Sequence, residues 1–216
     1  MTSDVSATAF YRDRTAGSRR AGRLPSVCRA GCGDRQELVA NHIPLPRDDE
    51  RLLVGHIAIA NELHRLLPDG HEVLAIFGGE DSYVSPNWYP GKAAHHKVVP
   101  TWNYRVVHAH GRISFQHDDK AKRAVVGRLT TRFERETNGV AAWKMADAPA
   151  DFMAEQLDAI VGISIAVDRV EAKSKLSQNR APEDFDSVTK ELADRDRPDL
   201  ARRMRDLADA RGNSGQ

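Results

Sequence analysis

Apolar residues along this chain fall mostly into short runs and alternations of strand length, interrupted by stretches with helical spacing. Leu38 to Leu45 reads as a strand ended by Pro44 and Pro46, and Asp48-Asp49-Glu50 reads as the turn before a second strand, Arg51 to His56. Ala58 to Leu67 has helical spacing, with Leu63, Leu66 and Leu67 on one side, before a turn at Pro68-Asp69-Gly70. Glu72 to Phe77 is an apolar run suited to a buried strand, which Gly78-Gly79 is expected to break. Trp102 to Val107 and Arg112 to Phe115 then predict a hairpin around His110-Gly111.

Two helices follow. Asp118 or Asp119 supplies an N-cap for the first, which places Ala121, Val125, Leu129 and Phe133 on one stripe, and the second runs from Ala150 to Asp158 behind Pro149. Val161 to Val167 alternates apolar and small residues, as a strand with one strongly buried face does, and leads into Lys175–Arg180. Behind Pro198, Leu200, Met204 and Leu207 lie on one face of a closing amphipathic helix. No internal repeat is visible. Strands interrupted by helices without regular alternation predict an α+β or barrel architecture rather than a doubly wound sheet. The chain also has no Gly-x-Gly-x-x-Gly turn between strand and helix and no Walker-type loop, which disfavours a Rossmann nucleotide site.

At 216 residues the chain can bury a full core as one compact domain without staples. Cys28 and Cys32 are too few for a disulfide framework and sit in a Gly- and Arg-rich segment, so a reducing cytoplasm is the simplest assignment and zinc on this pair is not expected. No apolar run is long enough to span a membrane, and the N-terminus lacks the apolar region of a secretory signal. Charge is uneven: residues 1–35 hold seven arginines against three aspartates, a local +4, so with +1 overall the rest carries −3. The folded body therefore offers no evident basic patch for DNA. Its alternatives for the Arg-rich start are a disordered tail or an arm that contacts nucleic acid.

Candidate chemistry concentrates in three segments: Asp81–Tyr89, Val99–Tyr104 and Lys175–Arg180. Rings (Trp88, Tyr89, Trp102, Tyr104) stand there beside amide and hydroxyl groups (Ser85, Thr101, Asn103, Gln178, Asn179) and two cations (Lys175, Arg180). Rings give stacking surface and the polar groups read an edge, which suits a flat, polar-edged aromatic ligand; core rings and a polar turn are the plainer reading of any one residue. His108 and His110, two apart on a predicted strand, face one side, and His95-His96 could approach them, but no carboxylate stands at ligand spacing, so no metal site is expected. Neither cysteine lies near the aromatic segments and no serine sits in a Gly-x-Ser-x-Gly elbow, which leaves nucleophilic catalysis without a candidate.

Ser85-Pro86-Asn87-Trp88-Tyr89, Val99-Pro100-Thr101-Trp102-Asn103-Tyr104 and Lys175-Leu176-Ser177-Gln178-Asn179-Arg180, in this order, resemble the PaiB-like family, described as FMN-binding negative transcriptional regulators. The resemblance runs from about Ala40 to about Arg205, giving a divergent Arg-rich segment over 1–36, for which disorder is one of the two readings above, and a PaiB-like domain over 37–210. It implies an α+β, mainly-β fold, an FMN-binding split β-barrel with flanking helices, assembled as a homodimer with a flavin site at each end of the subunit interface. FMN needs ring surface, edge partners and phosphate ligands, for which the residues above are suited, Lys175 and Arg180 serving the phosphate. Asn41 and His42, with His56 and Asn61 from the Gly55–Asn61 turn, form a second candidate shell. Two departures stand out: Ile59 occupies a position where family members commonly have arginine, and Glu80-Asp81-Ser82 replaces a usual proline-histidine-alanine. An alkyl chain cannot replace a bidentate phosphate contact.

The expected function is FMN binding joined to negative transcriptional regulation. DNA is its weakest partner, since no helix-turn-helix is readable. One alternative is a flavin-dependent oxidoreductase or oxidase with His56 or His108 as proton donor. Another is a degenerate split-barrel dimer that has lost its cofactor.

Overall fold

A computed structural model of the protein describes residues 26–29, 39–46 and 51–213. Among them the strands are β1 (Ser26–Arg29), β2 (Ala40–His42), β3 (Leu52–Ala58), β4 (His71–Val84), β5 (Thr101–Gln116) and β6 (Ile160–Lys175). The α-helices are α1 (Leu63–Leu66), α2 (Gly91–His95), α3 (Asp119–Asn138), α4 (Ala150–Asp158), α5 (Pro182–Asp194) and α6 (Pro198–Asn213). All six strands join one sheet in the order β2-β1-β4-β5-β6-β3. β1 is antiparallel to both β2 and β4, with Val27 opposite Asn41 and Ala75, and β3 is antiparallel to β6, with Gly55 opposite Ile163. The architecture is α+β and mainly β. Among the described residues no helix is long and apolar enough to cross a membrane.

Two long strands replace features expected to be breaks. β4 passes straight through Gly78-Gly79, and β5 passes straight through His110-Gly111, where a hairpin was expected. Burial explains the second: Asn103, Arg105, Val107, Ala109, Gly111 and Ile113 alternate as one inward face without a change of phase. Gly111 serves close approach rather than turning, because a Cβ there would lie 2.2 Å from the carbonyl oxygen of Ala166 on β6. Strand β6 likewise outruns its expected end at Val167 and delivers Lys175 directly. The expected helix over Ala58–Leu67 contracts to α1, since β3 extends to Ala58 opposite Ile160. β1 lies where the sequence offers no readable strand, and it pairs the edge that would otherwise be bare. The expected turn at Asp48–Glu50 and most of residues 1–35 lie outside the described residues.

The described chain forms two compact units. In one, which holds the described residues up to Phe77 and Val107–Glu171, β3, β6 and the adjoining strand segments supply an apolar layer. α3 packs Val125 and Leu129 against Val54. Asp118 caps α3, its carboxylate accepting from Ala121 N at 2.9 Å. Phe133, expected on the inward stripe, is 44% exposed near the end of the helix. Buried Lys122 donates to the Leu157 carbonyl at 2.8 Å and pairs with Asp119 at 3.0 Å, so its ammonium satisfies an end carbonyl of α4. The other unit holds Gly78–Val106 and the chain from Ala172 onward. Its core joins Val84, Tyr89 and Leu176 to Val188 and Leu192 of α5 and Leu200 and Met204 of α6. Leu200 and Met204 therefore do face inward as their spacing predicts.

Candidate functional site

The unit built from Gly78–Val106 and the C-terminal segments contains all three motif segments. At the end of β4, the Ser85 hydroxyl accepts from Asn87 N at 3.2 Å and caps a short 3-10 turn, Pro86–Trp88, whose proline suits the first turn. That turn delivers Trp88 half-buried and Tyr89 fully into the core, 3% exposed. Each ring carries an arginine on its face: Arg180 over Tyr89 at 4.6 Å and Arg195 over Trp88 at 5.2 Å. The buried Tyr89 hydroxyl has no hydrogen-bond partner among the described residues.

The Lys175–Arg180 segment is held by its own polar groups. Ser177 takes a left-handed conformation, φ 60°, and its hydroxyl donates to Asn103 Oδ1 at 3.0 Å. The Asn103 amide nitrogen in turn meets Met204 Sδ at 3.6 Å, so this asparagine lies wholly inside, joining β5, the motif turn and α6. Gln178 folds back, accepting from Leu176 N and donating to the Ser174 carbonyl, both at 2.6 Å. Asn179 is exposed, and Arg180 N donates to the Ser177 carbonyl at 3.0 Å. Lys175 reaches back to Thr101, Nζ to Oγ1 at 2.8 Å, placing an exposed ammonium beside a hydroxyl.

Strand parity separates these groups from a second set. Trp102 and Tyr104 face the side opposite Asn103 and Arg105. On that side Tyr83 meets Trp102 edge-on at 6.2 Å, and the ammonium of Lys173 stands 5.7 Å from the Tyr104 ring. Trp102 is 49% exposed and Tyr83 46%, which makes open ring surface. The acidic departure from the family pattern is absorbed locally. Asp81 accepts from Trp102 Nε1 at 3.0 Å, and Glu80 pairs with buried Arg105 at 3.2 Å. Sequence reasoning did not single out Tyr83 as a site residue, although it alternates with Asp81 along β4, nor Lys173, which sits two residues before Lys175; Arg195 carries no sequence signal.

The second candidate shell lies in the other unit. Asn61 Nδ2 donates to Asn41 Oδ1 at 2.7 Å while its own Oδ1 accepts from Leu63 N at 2.9 Å, so this pair fixes the start of α1. His42 is exposed at the end of β2. His56 is half-buried on β3, its Nδ1 buried without a partner among the described residues, and burial lowers its pKa from 6.5. Ile59 points outward, 40% exposed, with its backbone N bonded to the Ala159 carbonyl at 2.8 Å. His108 and His110 share one side of β5 as their spacing predicts; burial, then the charge of His110, lowers the pKa of His108.

The family described as "Putative FMN-binding domain" matches residues 24–169 of this chain. The chain belongs to this FMN-binding family. β1 lies inside the matched range, although the motif resemblance begins only near Ala40. Among relatives of this FMN-binding chain, the protease synthase and sporulation protein PAI 2 (PaiB) of Bacillus subtilis is 31% identical over 173 residues, covering 78% of this chain and 79% of that protein. An uncharacterized protein of Aspergillus fumigatus is 31% identical over 164 residues, 69% of this chain; the chain spans 62% of that relative's length. Among solved structures, a FAD and heme binding protein from Mycobacterium smegmatis matches with a TM-score of 0.50 at 22% identity, covering 76% of this chain and 71% of that one. A conserved hypothetical protein from Mycobacterium tuberculosis matches with a TM-score of 0.50 at 13% identity, covering 79% and 85%. Those two likenesses are likenesses of fold. The sheet with its flanking helices is the flavin-binding split-barrel fold, and FMN is the cofactor of the family.

The donor set fits that cofactor. FMN combines a flat ring with a phosphate, and the motif-bearing unit offers both open ring surface and cations.

Proposed function

We propose that this protein is a cytoplasmic homodimer that binds FMN and acts as a negative regulator of transcription. The observation that carries the flavin part is the pairing of ring surface with a cation on one side of β5: exposed Trp102 and half-buried Tyr104 for the isoalloxazine, and Lys173, 5.7 Å from the Tyr104 ring, for the phosphate, with Lys175 beside Thr101 as a second cation in the same unit. Thr101, Ser85, Asn179 and Arg180 would add polar contacts at its edges, and Trp88 further ring surface. Asn103, Gln178 and Tyr89 act at one remove, since their side chains hold the motif turn and its core in place. Asn41, His42, His56 and Asn61 remain a second candidate set in the other unit. When bound, FMN supplies a ring that takes up and returns one or two electrons. The regulatory part is supported by the PaiB-like motifs and by the name of the Bacillus relative, which concerns protease synthesis and sporulation.

Titration with FMN, followed by quenching of flavin fluorescence with FAD and riboflavin as controls, tests the cofactor. Tighter binding of FMN than of riboflavin is expected, because only FMN presents a phosphate to the lysines. A folded protein that binds neither would leave the split barrel without its cofactor. Transcript levels in cells with and without the gene test regulation, and a set of transcripts should rise on deletion.

A second reading, a flavin-dependent oxidoreductase, is favoured by His56. Its lowered pKa keeps the half-buried imidazole neutral near pH 7, and a neutral ring can accept a proton. If neither NADH nor NADPH reduces the flavin-loaded protein and no substrate panel turns over, this reading falls.

A further inference from the structure

Apart from buried Lys122, helix α3 (Asp119–Asn138) carries its cationic residues away from the face that packs Val125 and Leu129. Val125 and Leu129 face the core with Val54 of β3. Away from that contact, Lys120, Arg123, Arg128 and Arg135 are exposed and Arg132 is partly so. The arginines flank a shallow groove with Ala124, Gly127 and Thr131 along its middle. Arg128 Nε donates to the Ala124 carbonyl at 3.3 Å, and the acids of this helix's last turns are engaged. Glu136 pairs with Arg132 Nε at 3.2 Å, while Glu134 accepts from Asn138 Nδ2 at 2.7 Å and from Trp143 N at 3.0 Å.

We propose that this face of α3 docks onto the phosphate backbone of double-stranded DNA. The inference rests on the regulatory reading above, and supplies the basic folded surface that the −3 balance of residues 36–216 conceals. Charge complementarity chooses the partner. Arg123 to Arg135 spans about 18 Å of helix at 1.5 Å per residue, and a duplex presents one negative charge about every 1.7 Å of its axis. Arginine suits this role because its planar fork binds phosphate oxygens bidentately. Exposed Ala124 and Thr131 keep the strip between the flanking arginines low, while Gly127 lies against Met145. With no Asn or Gln along the middle of the face to read base edges, its contacts position the protein without selecting sequence.

The test uses the full-length protein and a fluorescein-labelled DNA duplex of mixed sequence, with binding followed by fluorescence anisotropy over a range of salt. The triple variant R123Q/R128Q/R135Q should flatten the slope of log K against log salt by about 2.7, at roughly 0.9 per lost phosphate contact. Arginines in residues 1–35 are untouched in this variant, so the change reports α3 alone. Glutamine is nearly as good a helix former as arginine, and unchanged circular dichroism and FMN titration check the fold. R123K/R128K/R135K keeps the charge and should retain most of the slope, which separates charge loss from misfolding. Wild-type binding that the glutamine variant leaves unaltered would overturn the inference while sparing the regulatory reading. Absence of duplex binding at low salt by protein that takes up FMN would overturn it too, and would leave regulation to an indirect route. Preference for single-stranded RNA over the duplex also counts against it. DNA binding lost in the variant, with no FMN uptake by either protein, would support the inference and tell against the flavin part of the proposed function alone.

Discussion

The indole nitrogen of Trp102 donates to the Asp81 carboxylate at 3.0 Å and so ties β5 to β4 on their exposed side. Tyr83 meets the same indole edge-on, which holds the ring from two directions. Asp81 belongs to the stretch that departs from the family pattern, and here it orients a ring proposed for the flavin.

Removing that latch should free the ring. Asp81→Ala in a W88F/W143F background, where Trp102 is the single tryptophan left of three, should shift emission to the red and lower its anisotropy. The stability cost should be about 0.5–1.5 kcal/mol by urea denaturation, near the low end because the bond is exposed. Unchanged emission would show that Tyr83 alone holds the indole.

Ile59→Arg supplies the guanidinium that the family resemblance leads one to expect at this position. The side chain already points outward and the backbone bond to Ala159 does not depend on it, so the fold should tolerate the change. FMN affinity should rise by about 1–3 kcal/mol, the range for a charge-assisted hydrogen bond. A fluorescence titration with no gain would mean that other groups, such as Lys175, already anchor the phosphate.

Gly111→Ala should be among the costliest small changes in the protein. Its new Cβ would lie 2.2 Å from a backbone oxygen of β6, which cannot swing aside as a flexible side chain can. A loss of about 3 kcal/mol or more is expected in thermal unfolding. Gly78→Ala is the control, since a Cβ there meets nothing within 4 Å. If both variants melt alike, β5 and β6 do not approach as closely as described.

His56 gives stability a defined pH dependence. Burial lowers its folded-state pKa below 6.5, so between that lowered value and 6.5 the unfolded chain holds a proton that the folded chain lacks. Stability therefore rises with pH through this window: it is fully present above 6.5 and is lost as pH falls toward the folded pKa. His56→Gln removes the contribution. Urea midpoints of the two proteins should diverge below pH 6.5, the wild type losing more; parallel curves would refute the assignment.

Where an element declares itself by a single unbroken period, the sequence reveals it. The Asp118 cap with Val125 and Leu129, the span Ala150–Asp158, and the Leu200–Met204 stripe all stand where their spacing puts them. Glycines misled in β4 and β5 because a glycine need not turn the chain: Gly111 admits a neighbouring strand, whereas Gly78 sits within β4 with open space beside it. Helix α5 was missed although Phe185, Val188 and Leu192 stand at helical spacing behind Pro182, because Asp184 and Thr189 share the inward face and dilute that stripe. Asp184 is used internally, accepting from Gly91 N at 2.9 Å. The motif residues were legible as a group, but their division was not. Asn103 and Trp102 are adjacent in sequence and point to opposite sides, one wholly buried and one open.

Asn103 with Ser177 and Lys175 with Thr101 each join residues 74 positions apart. A ribosome adding about 5–20 residues per second needs roughly 4–15 s to make that interval. Throughout it the Thr101–Tyr104 strand has emerged without the turn that secures it, showing two aromatic rings and an unpaired edge to the crowded cell. The contacts that organise the motif are thus among the last the nascent chain can make, and this interval is when it most needs a chaperone.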